Sequence, residues 1–68
     1  MKTSTEQVII QKDRPLNHAL KQMDEINRKL LIVLNDDGTF FSLLSIGDIQ
    51  RAIIKNLPLN TKISEIVR

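Results

Sequence analysis

The stretch Leu30-Leu31-Ile32-Val33-Leu34, then Asn35-Asp36-Asp37-Gly38, then Thr39-Phe40-Phe41-Ser42-Leu43-Leu44 leaves the middle of this chain little choice. A continuous apolar run of strand length, without polar alternation, predicts a strand buried on both faces. The Asp-Gly pair supplies the positive φ that a tight reversal needs. Two strands joined by so short a turn are antiparallel neighbours. What flanks the hairpin then decides the fold.

Upstream, Gln7-Val8-Ile9-Ile10 is a short β-branched run and predicts a brief strand. Apolar residues follow at Leu16, Ala19, Leu20, Met23 and Ile26, the spacing of one helical face. Pro15 suits a first helical position, so a helix is expected over Pro15–Asn27, with Arg14 at its N-cap. Downstream, Ile46 to Asn56 predicts a second helix, broken by Leu57-Pro58-Leu59-Asn60. Residues 61–67 form a last short element, either one helical turn or a fragment of strand. Met1–Glu6 shows no apolar periodicity and is read as a frayed, flexible end. The order is strand, helix, strand, strand, helix and tail, an α+β arrangement.

With 68 residues the chain holds one small domain, and with no cysteine it has no disulfide or thiolate-bound metal to staple it. Such a domain buries only about 60% of the surface its unfolded chain exposes. The second helix reflects that shortage. Ile46, Ile49, Ile53 and Leu57 fall in one stripe, with Ala52 on one side and Ile54 on the other. Together they span roughly twice the width that a surface helix needs. A partner is therefore expected to cover part of this face, with Ile46, Ile49, Ile53 and Ile54 as its interface. A homodimer would satisfy it.

The net charge of +2 is mild and its basic residues are interspersed with acidic ones. The aromatic residues are Phe40 and Phe41 alone, so no basic stripe with interleaved aromatics points to nucleic acid. No apolar run approaches the roughly 20 residues of a membrane span. The start, MKTSTEQ, is polar where a signal peptide would be apolar, so a cytoplasmic location is expected.

Chemistry is most legible in Ser45-Ile46-Gly47-Asp48, at the join of strand and helix. One reading is structural. Ser-x-x-Asp before an apolar helical run approximates a capping box, with Ser45 accepting from the Asp48 amide. The other reading uses the same geometry for a ligand. A helix N-terminus suits phosphate. The Ser45 hydroxyl can serve a phosphate or a sugar, the Asp48 carboxylate can accept from two vicinal ribose hydroxyls, and Gly47 lets a ligand approach the backbone.

From Val8 to Val67 the sequence resembles a single cystathionine-β-synthase-type (CBS) motif, a family with the order β-α-β-β-α. The features that carry the resemblance are "IVLNDDG", "FSLLS" and "SIGDI". The family often has glycine where Ser42 stands, proline where Ile32 stands, and threonine more often than serine at position 45. The resemblance implies a nucleotide site at Ser45, Gly47 and Asp48, with Ile32 in the pocket lining. The ligand would be AMP, ADP or ATP, held as a regulator and not as a tightly bound cofactor. It also implies a βαββα half-module with a short mixed sheet and two helices on one side, paired with a second motif towards which residues 61–68 would lead. A narrower likeness joins "GDIQRAI" and "KNLPLNTKISEIV" to the CBS segments of sugar-phosphate nucleotidyltransferases.

His18, on the polar face of the first helix, has no metal-ligand spacing around it, and Asp36-Asp37 is explained by the hairpin turn. No nucleophile, base and acid are arranged for catalysis, and no activity is expected of this segment itself. Two functions stand from the sequence: a regulatory nucleotide-binding module, and a structural dimerisation module whose pocket is vestigial.

Overall fold

The computed structural model describes residues 5–67. Its elements run from a 3-10 turn at Thr5–Val8 through β1 (Ile9–Gln11), α1 (Leu16–Ile26), β2 (Leu30–Leu34), β3 (Phe40–Ser45) and α2 (Ile46–Ile54) to a 3-10 turn at Ile63–Glu65. The sheet has the order β1-β2-β3. β1 pairs with β2 in parallel, Ile10 opposite Val33, and α1 makes the crossover that a parallel pair requires. β3 returns antiparallel to β2, with Leu30 opposite Ser45 and Leu31 opposite Leu44. The expected α+β architecture is therefore present, with the hairpin at its centre.

The hairpin turn is made by its own side chains. Gly38 takes φ 88°, a conformation that a side chain would strain. Its amide donates to the Asn35 carbonyl at 3.0 Å. The Asp37 carboxylate accepts from both the amide and the hydroxyl of Thr39, and the hydroxyl foremost holds its pKa below the ordinary value. Past Val33 the register slips, so that Val33 faces Ser42 while Leu34 faces Phe40 and Phe41 is left over. Phe41 packs against the core with the Lys12 ammonium 5.5 Å from its ring centre.

The core is one-sided. Ile10, Leu31, Val33 and Leu44 project from one face of the sheet onto Leu16, Ala19 and Met23 of α1 and onto Ile49 and Ala52 of α2. Ile63 and Val67, from the tail, complete it. β2 therefore departs from the expectation of burial on both faces. Leu31 and Val33 are buried, but Leu30 is 49% exposed and Ile32 and Leu34 are half-buried. Two helices and a tail cover one face of three strands, and nothing among the described residues covers the other.

Element ends differ from the sequence reading for non-local reasons. Gln7 and Val8 belong to the 3-10 turn, not to β1. Of the segment read as frayed, residues 1–4 lie outside the described residues, and Thr5 opens that turn. Pro15, not Arg14, is the N-cap of α1, and no side chain caps it. The amides of Leu16 and Asn17 donate instead to the carbonyls of Thr61 and Leu59, both at 2.9 Å. The tail thus supplies from a distance what a capping residue supplies locally. It combines both forms considered for it, a bridge between Pro15 and Lys62 followed by the 3-10 turn. α2 ends at Ile54, and Asn56 turns the chain with φ 63°.

Candidate functional site

The join of β3 and α2 forms a complete capping box. Ser45 Oγ accepts from the Asp48 amide at 3.2 Å. Asp48 Oδ2 accepts from the Ser45 amide at 2.9 Å and from its hydroxyl at 3.0 Å, while Oδ1 accepts from Arg51 one turn on. The carboxylate also lies in the first turn, where the helix dipole favours it. Partial burial works to raise its pKa, but the Ser45 amide, the Ser45 hydroxyl and Arg51 together outweigh burial and hold it below 3.8. A carboxylate has about four acceptor positions, and here three are in use. Arg51 is mostly exposed, so its ion pair is the weakest of these ties and the one a ligand would displace most easily.

The capping box has a measurable signature. Ser45→Ala is expected to cost about 1 kcal/mol of stability, read as a lower urea midpoint. Because the folded-state pKa of Asp48 is depressed, the unfolded chain binds more protons below the ordinary carboxylate value. Its contribution is full at neutral pH and is lost as pH falls below about 4 towards the folded-state value. Asp48→Asn is expected to flatten that part of the acid limb of a midpoint-versus-pH curve.

A second feature lies on the uncovered face of the sheet. Val8, Arg28, Lys29, Leu30 and Ile32 line an open cleft of about 390 Å³. That falls within the roughly 300–1,000 Å³ range of small-molecule sites. Directly paired residues share a face of a sheet, so Ile32 opposite Leu43 and Leu30 opposite Ser45 put the Ser45 junction on the same face as the cleft. Val8 is brought there by the first turn, which Gln22 of α1 secures: its side-chain amide donates to the carbonyls of Gln7 and Ile9, each at 2.8 Å. The amide of Ile46 donates to the Lys29 carbonyl at 2.9 Å, so the loop before β2 abuts the start of α2.

The residues singled out from the sequence therefore divide. Ser45, Gly47 and Asp48 meet at one junction, and Ile32 lies on the adjoining face of the sheet. Asp48 borders a different, polar hollow of about 250 Å³, together with Arg51, Lys55 and Glu65. Val8, Arg28, Lys29 and Leu30 were missed. Placing Leu30 opposite Ser45 would have found them, and that register needed the length of the turn. Of the four isoleucines expected at an interface, Ile49 is 0% exposed and has no surface to offer, because it faces the sheet. Ile46 is half-buried against the core, whereas Ile53 and Ile54 are 48% and 77% exposed. His18 is exposed on α1.

No protein-family model matches the sequence, and no curated protein matches it. Solved structures match the fold closely. A CBS-domain protein of Pyrobaculum aerophilum, complexed with AMP, superposes with a TM-score of 0.83 at 16% identity, over 98% of this chain and 56% of that one. A CBS-domain protein of Thermoplasma acidophilum, of unknown function, gives 0.82 at 24% identity over 96% of this chain and 38% of that one. One from Agrobacterium tumefaciens gives 0.83 at 16% identity, over 90% and 47%. The fold is that of a single CBS motif. The chain spans about half the length of the structures it matches. No helix among the described residues is long and apolar enough to cross a membrane.

Proposed function

We propose that this chain is one CBS motif of a regulatory module that binds an adenine nucleotide, completed by a second motif or a second copy of itself. The observation that carries the reading is the cleft on the uncovered sheet face, beside the Ser45–Asp48 junction. The AMP held by the Pyrobaculum protein of like fold supports it. Ser45 would lie nearer the phosphate, Asp48 would accept from the ribose hydroxyls, Gly47 would let the ligand close to the backbone, and Ile32 would pack against the base. Binding would regulate by favouring one arrangement of the pair over another. From the likeness of "GDIQRAI" and the tail, we further propose an attached sugar-phosphate nucleotidyltransferase, working in the cytoplasm, as what the module regulates.

Asp48 also favours a second reading. Its carboxylate is already occupied by Ser45 and Arg51, which suits a structural dimerisation module in which the pair only caps α2. Calorimetry with AMP, ADP and ATP separates the two. The regulatory reading expects micromolar binding by at least one of them, lost in Asp48→Ala. Gly47→Ala guards against simple unfolding. A methyl there meets Ser45 Oγ and Arg51 Nη1 at 3.6 Å, an ordinary contact, and should stabilise the helix by about 0.5–1 kcal/mol. A raised melting temperature with weakened binding supports the nucleotide site. Absence of heat with all three nucleotides leaves the dimerisation module.

A further inference from the structure

We infer that the cleft selects polyanionic nucleotides, ADP or ATP, over uncharged adenosine and over cationic adenosyl compounds, and that Arg28 and Lys29 are the residues that select. The inference rests on the nucleotide reading above and concerns the charge of the ligand. The lining of the cleft is three aliphatic side chains, Val8, Leu30 and Ile32, and two basic ones, with no acid among them. A flat apolar ring fits the first set. The second set is adjacent in sequence, in the loop between α1 and β2, and its charges are not spent within the chain. Among the described residues the ion pair within 4.0 Å is Arg51–Asp48, and neither Arg28 nor Lys29 takes part in it.

Asp24 shares a neighbouring hollow with both cations, yet forms no ion pair with either. Position adds to the count of charges. The Lys29 carbonyl holds the Ile46 amide, and Leu30 pairs with Ser45, so the two cations stand where the cleft approaches the N-terminus of α2. A phosphate chain leaving an aliphatic-bound base would meet these two cations. Each added phosphate brings further negative charge and further acceptor oxygens to that end. A sulfonium or amine in the same place would meet like charge.

The test is calorimetry on the 68-residue chain with adenosine, AMP, ADP, ATP and S-adenosylmethionine, at low and at high salt. ADP is expected to bind at least about tenfold tighter than adenosine, the preference shrinking as salt screens the cations. Arg28→Gln and Lys29→Gln should each weaken ADP about tenfold while leaving adenosine unchanged. Both side chains are exposed in a loop, so neither change threatens the fold. Equal affinity for adenosine and ADP, tighter binding of S-adenosylmethionine, or variants that keep full ADP affinity would overturn this selection and leave the nucleotide site standing. If none of the five compounds binds, both conclusions fall together.

Discussion

Ile63→Ala is expected to lower the melting temperature of the isolated chain by roughly 10–40 °C. Ile63 is fully buried although it lies in the tail, nine residues past the end of α2. Its amide donates to the Arg14 carbonyl at 2.9 Å and its carbonyl accepts from the amides of Ile66 and Val67, so its backbone is fixed on both sides. Removing a buried isoleucine to the β-carbon costs about 2–5 kcal/mol. A domain of this length has roughly 3–10 kcal/mol in all. The change also loosens residues 59–61, whose carbonyls satisfy the first amides of α1, so the two losses compound. Thermal unfolding followed by circular dichroism would read it, with Ile54→Ala as the control. Ile54 is 77% exposed, and its truncation should leave the protomer's melting temperature nearly unchanged. A cooperative melt in Ile63→Ala within a few degrees of the parent would show the tail to be an appendage.

The tail also marks where local reading of the sequence ends. The hairpin was legible because its turn is made by neighbours: Gly38, Asp37 and Thr39 need nothing from elsewhere. The start of α2 was legible for the same reason, Ser45 and Asp48 being three residues apart. The start of α1 was not. Its amides are satisfied by Leu59 and Thr61, more than forty positions away, and no local pattern announces that. Nor could periodicity say which way β2 is covered. Its five apolar residues are equally apolar on both faces, and only the placement of α1, α2 and the tail on the Leu31–Val33 face leaves Leu30, Ile32 and Leu34 open.

The helical stripe misled in an instructive way. Its width correctly signalled more apolar surface than one sheet covers, but its centre belongs to the core. Ile49 is buried because it is central, and Ile54 is exposed because it is the excess. Arg28 and Lys29 escaped notice because scattered basic residues are usually a solvated face. Their interest comes from what the register brings beside them.

The open face of the sheet yields the other large effect. One solvated face of a half-buried sheet ordinarily carries polar residues in alternation with the core set. Here that face carries Ile9, Leu30, Ile32, Leu34, Phe40 and Leu43, with Gln11 and Ser45 as its polar members. Leu30, Phe40 and Leu43 are about half or more exposed, at 49%, 62% and 48%. A connected apolar surface of this kind marks an interaction site. The outer side of α2, with Ile53 and Ile54, is a second such surface but a narrower one. If a second copy seats on the sheet, Leu43→Glu should place an unpaired charge in the interface and weaken association by more than about 100-fold. The protomer should stay folded, because Leu43 lies on the side away from the core. Ile54→Glu should leave association intact. Sedimentation equilibrium at roughly 100 μM, well above a micromolar Kd, would then find the parent and Ile54→Glu dimeric and Leu43→Glu monomeric. A monomeric parent would remove the self-pairing, and loss of the dimer in Ile54→Glu alone would move the interface to α2. The same samples test the proposed nucleotide site, because Leu30 and Ile32 line both surfaces: if the cleft binds a nucleotide, a monomeric Leu43→Glu should lose most of that affinity.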